Sequence, residues 1–178
     1  MHLRAAAPLP ACHLHQGESN DCGPFSAAIV INALLGRGRA DPHELSGRLE
    51  RWEGLRPPGR IPRGPTFPWG MVHLLRGYGL SARWRPFATV ERLRANLREG
   101  RVTIVLIGEP LRFCRWRWCG WMHYGVLYGW EPGRWLFVDP AVREATTTVE
   151  EALFLRRWRN AARILIEVEQ PAPQRRSN

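Results

Sequence analysis

Gln16-Gly17-Glu18-Ser19-Asn20-Asp21-Cys22-Gly23-Pro24 runs directly into Phe25-Ser26-Ala27-Ala28-Ile29-Val30-Ile31-Asn32-Ala33-Leu34-Leu35-Gly36. Asn20 or Asp21 can cap a helix, and Pro24 suits its first turn. Ala27, Ala28, Ile31, Leu34 and Leu35 recur at helical spacing, and Gly36 sits where a left-handed C-terminal cap belongs. Cys22 thereby falls in the first turn. Unpaired N–H groups and the positive end of the helix dipole favour a thiolate there, and the thiolate is the reactive form. A free Cys is equally often a small buried hydrophobe, and position alone does not separate the two readings. Gly23 is expected to leave room for a substrate backbone. Gln16, six residues before Cys22, is by itself a solvated loop residue. Its side-chain amide could also join the Cys22 backbone N–H in holding an oxyanion.

Further helices are expected in the first half. Asp41-Pro42-His43-Glu44 resembles a capping box, with Leu45 and Leu49 turned inward. A third helix is expected over Trp69–Tyr78, stopped by Gly79, and a fourth from the Thr89 cap to Arg98, stopped by Gly100. Between the second and third, residues 54–68 hold five Pro and three Gly and read as a long loop.

The period changes after residue 100. Val102–Ile107 is a β-branched run of buried-strand type. Met122–Trp130 and Arg134–Val138 flank the turn signal Glu131-Pro132-Gly133 and read as a hairpin. His123 begins the first of these strands, where a lone His is commonly a hydrogen-bonded core residue. Asp139 ends the second, just before Pro140, where Asp-Pro commonly opens a turn. The hairpin would set the carboxylate beside the imidazole, fixing its tautomer and stabilising its charged form. Thr148-Val149-Glu150-Glu151 is expected to cap another short helix, and Ala162–Val168 to form a closing strand. Helices first and strands afterwards give an α+β domain of two lobes.

Gln16–Pro24 with its Ala-rich helix, His123-Tyr124-Gly125-Val126, and Val138-Asp139-Pro140-Ala141 together resemble the motifs of the C39-like papain-fold cysteine peptidases. The Thr148–Glu151 segment and Trp158 before a final strand echo the same family. The resemblance spans residues 14–168. It implies a papain-like fold with an N-terminal helical lobe and a C-terminal antiparallel β-sheet lobe. It also implies Cys22 as nucleophile, His123 as base, Asp139 orienting that base and Gln16 as oxyanion donor. The chemistry implied is hydrolysis of a peptide or amide bond through a thioester, with a peptide or protein substrate and no metal or cofactor. Some relatives cut leader peptides after a double glycine as a domain fused to an export ATPase.

Composition narrows the field. The chain has 178 residues, 44% of them hydrophobic, with nine Trp. This suits one globular domain, expected over residues 14–169 between an irregular lead-in (1–13) and a polar tail (170–178). All 26 basic residues are Arg, and the net charge is +10. Without Lys there can be no Walker-A phosphate loop. The arginines are spread from Arg4 to Arg176 with no dense tract, which argues against a nucleic-acid groove. No apolar run approaches the ~20 residues of a membrane span. The lipobox-like Leu9-Pro10-Ala11-Cys12 follows too short and Pro-broken a stretch to act as a signal, so a cytoplasmic location is expected.

Four Cys do not form a disulfide framework, and Cys12-His13-Leu14-His15 with Cys114 and Cys119 fits no standard zinc spacing. Arg115-Trp116-Arg117-Trp118 reads as a half-buried strand with one Arg face; the sharper reading is a substrate-binding lip beside His123. Other activities the sequence admits are a catalytically silent papain-fold module that binds peptides and an acyl transferase using the same Cys-His-Asp site. An Arg-based nucleic-acid binder would betray itself by steep salt dependence. Oligomeric state is not readable.

Overall fold

The computed structural model describes residues 3–4, 7–51, 58–114 and 117–169, and for 111–114 and 117–119 the course of the backbone only. The expected tail at 170–178, residues 54–57 of the Pro-rich loop, and Arg115 and Trp116 lie outside the described residues. The fold is α+β. Three helices come first: α1 (Cys22–Leu35), α2 (Pro42–Glu50) and α3 (Pro68–Gly77). After them come β2 (Ser81–Arg85), α4 (Val90–Arg98), β3 (Val102–Cys114), β4 (Arg117–Glu131), β5 (Arg134–Val138), β6 (Thr147–Glu150), α5 (Glu151–Asn160) and β7 (Leu165–Glu169). The strands form one antiparallel sheet in the order β2-β7-β3-β4-β5-β6, and β1 (Leu3–Arg4) adds to β4.

Alternation along the strands makes this sheet a partition between two cores. Val102, Ile104, Tyr124, Val126, Val138, Ile166 and Val168 face the first, which α1, α2 and α3 cover with Ala27, Ile31, Leu45, Met71 and Leu74. Val105, Ile107, Leu127, Trp135, Phe137 and Leu165 face the second, closed by Leu93 and Leu97 of α4 and Phe154 and Trp158 of α5. Trp135, Phe137, Phe154 and Trp158 are all but fully buried and pack ring against ring, with centroids 5.2–5.6 Å apart. Glu131-Pro132-Gly133 is the β4–β5 turn, with Gly133 at φ +77°.

Several expectations need correction. The lead-in is not irregular throughout: Leu3–Arg4 is a strand, and Leu9–Cys12 is a 3-10 turn with Leu9 and Cys12 buried. Asp21 is at the N-cap position of α1, but its side chain makes no cap bond. Gly36 has φ +109° with an extended ψ of 145°, so it ends α1 without a left-handed helical cap. Thr147–Glu150 is strand β6, not a helix cap, and α5 starts just after it with no side-chain cap. His123 lies well inside β4, which begins at Arg117. Cys114 ends β3 and Arg117 begins β4, and the two are paired. The two helices with strong capping chemistry behave as read: Asp41 accepts from His43 and Glu44, and Thr89 accepts from Arg92.

Candidate active site

Cys22 is the first residue of α1, half-buried, with its thiol free. It opens onto a cleft of about 660 Å³ between the two lobes. Pro65, Thr66 and Phe67 of the loop before α3 form one wall, and Trp121 and His123 of β4 the other. Leu106, Met122 and Ile164 add aliphatic surface to the lining.

Asp139 leaves the end of β5 and meets His123 across the neighbouring strand, with His123 Nε2 and Asp139 Oδ1 2.6 Å apart. The same carboxylate oxygen accepts the Ala141 N–H at 2.8 Å, an Asx turn that Pro140 permits. Because Nε2 donates to Asp139, Nδ1 is the nitrogen left for other work, and Cys22 lines the same cleft as the ring. Burial by itself disfavours a charged ring. The bond from Asp139 and the nearness of Cys22 outweigh it and raise His123 to about 9. Burial likewise opposes the Asp139 carboxylate, but the bond from His123 holds it below the usual range. Burial, aided by the nearby Cys22, pushes the Tyr124 hydroxyl well above its ordinary value.

Gln16 lines the same cleft. Its backbone N–H donates to the Pro140 carbonyl at 2.8 Å, tying the lead into α1 to the Asp-Pro turn. One side-chain N–H donates to the Ser19 carbonyl at 2.7 Å, and Oε1 is buried with no protein partner. Of the four residues singled out in the sequence, Gln16, Cys22 and His123 line one cleft, and Asp139 bonds the His123 ring. Among the described residues no group of three or more His, Cys, Asp or Glu could hold a metal, and no helix is long and apolar enough to cross a membrane.

Gly23 has a different reason from the one expected. A Cβ there would lie 2.7 Å from Thr66 Cβ, so the space above the helix start is filled by the cleft wall and not kept for a substrate. That wall is well anchored. Thr66 bridges to Arg60, and its carbonyl accepts the Tyr124 hydroxyl at 3.2 Å. Arg60, 2% exposed, pairs with Asp21 and Ser46 and donates to the Gly64 carbonyl at 3.1 Å. Asp21 gives up capping for this ion pair. Sequence reasoning missed Arg60 and Thr66, since a Pro- and Gly-rich loop carries no periodic signal. It also missed His13, weighed only as a zinc ligand; its Nε2 lies 3.1 Å from the Asp139 carbonyl.

No family model and no curated protein matches the chain. Solved structures do. A protein described as a C39-like peptidase from Bacillus anthracis superposes with a TM-score of 0.73 at 14% identity, over 97% of this chain and 99% of that one. The peptidase domain of Streptococcus ComA, a bi-functional ABC transporter, gives 0.60 at 18%, over 88% and 96%. A double-glycine-motif protease of an AMS/PCAT transporter, solved with its leader peptide, gives 0.54 at 19%, over 94% of each. At identities this low the likeness shows the fold alone: the α+β architecture of these C39-like peptidase structures.

Proposed function

We propose that the chain is a cysteine peptidase that cleaves a peptide or amide bond through a thioester on Cys22. The observation that carries this reading is the convergence of Cys22, His123 and Asp139, with His123 held charged by partners on both sides. In the proposed reaction the Cys22 sulfur attacks the carbonyl carbon. The oxyanion is met by the Cys22 backbone N–H and by the Gln16 side-chain N–H that Ser19 does not use. His123 passes its proton to the amine as the C–N bond breaks, and Asp139 keeps the ring oriented. Water, deprotonated by His123, then releases the acid and frees the thiol. The fold's neighbours include a protease solved with a leader peptide, which supports a peptide as substrate.

Thiol labelling tests the site directly. At neutral pH iodoacetamide should modify Cys22 ahead of the three other cysteines, and His123→Ala should slow it by about tenfold or more. Equal labelling of all four thiols would remove the peptidase reading. Mass analysis of products in water, with and without an added amine, separates hydrolysis from acyl transfer.

A further inference from the structure

Asp21 stands directly before the nucleophile, at the N-cap position of α1, and its side chain makes no cap bond. Consecutive Cα atoms lie about 3.8 Å apart, so this carboxylate is inside a Debye length of the Cys22 sulfur, roughly 8–10 Å in ordinary buffers. A lone negative charge there works against the thiolate that the helix start favours. The cleft offers it no counter-charge. Apart from Cys22, the ionisable side chains lining the cleft among the described residues are His123 and Tyr124, and His123 is engaged by Asp139.

The counter-charge comes from behind the wall. Arg60, buried, reaches Asp21 Oδ1 with one nitrogen of its fork and the Ser46 hydroxyl with another, and donates Nε to the Gly64 carbonyl at 3.1 Å. Ser46 closes the triangle, its hydroxyl donating to Asp21 Oδ1 at 3.4 Å. Glu50 is more distant, 3.8 Å from Arg60 Nε, and partly exposed. Anchoring the loop does not by itself call for a cation. The Ile61 N–H donates to the Pro65 carbonyl at 3.1 Å, Gly64 to Ile61 at 2.8 Å and Phe67 to Gly59 at 2.8 Å. The Tyr124 hydroxyl holds the same loop from the sheet. A buried guanidinium is costly to desolvate, and what it adds beyond these bonds is a positive charge placed on Asp21.

From this arrangement we infer that Arg60 is a positioning residue for Cys22 chemistry that acts through Asp21. It cancels the field of the carboxylate at the start of α1 and keeps the mouth of that helix favourable to the thiolate. The inference deepens the peptidase reading and rests on it for its catalytic meaning. Removing either partner leaves an uncompensated charge beside the sulfur, of opposite sign in the two cases, whereas removing both restores the balance.

The test compares alkylation of Cys22 by neutral iodoacetamide with alkylation by anionic iodoacetate, at low salt and neutral pH, with mass spectrometry reading Cys22 occupancy. Misplacement of Cys22 slows both reagents alike, whereas charge moves their ratio. Arg60→Met should lower the iodoacetate-to-iodoacetamide rate ratio by about threefold or more, and Asp21→Asn should raise it by about the same factor. The double variant Asp21→Asn/Arg60→Met should return to within about twofold of the parent, and about 0.5 M salt should compress every difference. Arg134→Met removes an equal charge where β5 leaves the β4–β5 turn, and should leave the ratio unmoved. Thermal melts verify folding; should Arg60→Met fail to fold, Asp21→Asn decides alone. An unmoved ratio in Asp21→Asn would overturn the inference. So would a double variant as far from the parent as Arg60→Met, or an equal shift in Arg134→Met. Failure of Cys22 to label ahead of the other cysteines in the parent would instead count against the peptidase reading, so the two can fail separately.

Discussion

His13 Nε2 stands 3.1 Å from the backbone carbonyl of Asp139, so a residue of the N-terminal lead-in holds the turn that carries the carboxylate. A carbonyl can only accept, so this nitrogen of His13 must bear the proton. Three residues after it, Gln16 bonds to Pro140, so the lead-in ties the segment carrying the nucleophile to the turn carrying the orienting carboxylate.

His13 is therefore expected to act as a positioning residue. His13→Ala should lower the rate of Cys22 chemistry by about fivefold, the effect of losing a hydrogen bond of ~1 kcal/mol. His13→Gln, which can still donate to the carbonyl, should recover most of it. A Gln variant as slow as the Ala variant would mean that the ring is needed for packing alone.

The charge state of His123 gives a pH prediction whose sign follows from its partners. Its folded value, about 9, is above the ordinary 6.5. The stability contributed by the charged ring is thus fully present below about 6.5 and is lost as pH rises through 9. Asp139→Asn removes a bond that raises the value, so titration should move toward neutral pH. Histidine carbon NMR on the two proteins reads this without a substrate. A ring titrating near 6.5 in the parent and unmoved in the variant would contradict the geometry.

Glu167, 4% exposed in β7, offers the opposite case. Burial opposes its charge, but Arg92 and Arg85 win and hold it at about 2, below the ordinary 4.5. Its contribution is present above about 4.5 and lost as pH falls through 2. Glu167→Gln should cost roughly 1–3 kcal/mol at pH 7, typical of hydrogen bonds to a charged group, and should flatten the acid limb of stability. Urea melts between pH 2 and 7 measure both; a variant as stable as the parent at pH 7 would show that the arginines are satisfied by solvent.

The parts of the fold that could be read from sequence are those in which local chemistry and tertiary packing agree. Thr89 and Asp41 cap as their positions predict, and Glu131-Pro132-Gly133 turns β4 into β5, which brings His123 and Asp139 together. Strand β2 escaped because Ser81-Ala82-Arg83-Trp84-Arg85 buries only Ala82, which leaves no alternation of apolar residues to detect. Thr147–Glu150 misled because a Thr/Glu run suits both a cap and an exposed edge strand, and pairing with β5 decides between them. Asp21 misled for a similar reason. Its cap geometry is local, but Arg60, 39 residues away, competes for the carboxylate and is far better buried. The site's four chemical residues carried motifs; the residues that brace them did not.

That bracing is most exposed to test at Gly23. Adding a methyl group sets its carbon 2.7 Å from Thr66 Cβ, 2.8 Å from Thr66 Oγ1 and 3.1 Å from Met71 Sδ. The thioether can swing away. Thr66 cannot, because Tyr124 holds its carbonyl and Arg60 pairs with its strand segment. Gly23→Ala should therefore displace the start of α1, and Cys22 with it. We expect a loss of roughly 1–3 kcal/mol in stability, the usual cost of overpacking, and slower alkylation of Cys22. Adding Thr66→Gly, which deletes the opposing carbon, should restore the alkylation rate more than the stability. If Gly23→Ala alone alkylates and melts like the parent, the wall yields freely, and the fixed distance between Cys22 and the loop ceases to be a property of the fold.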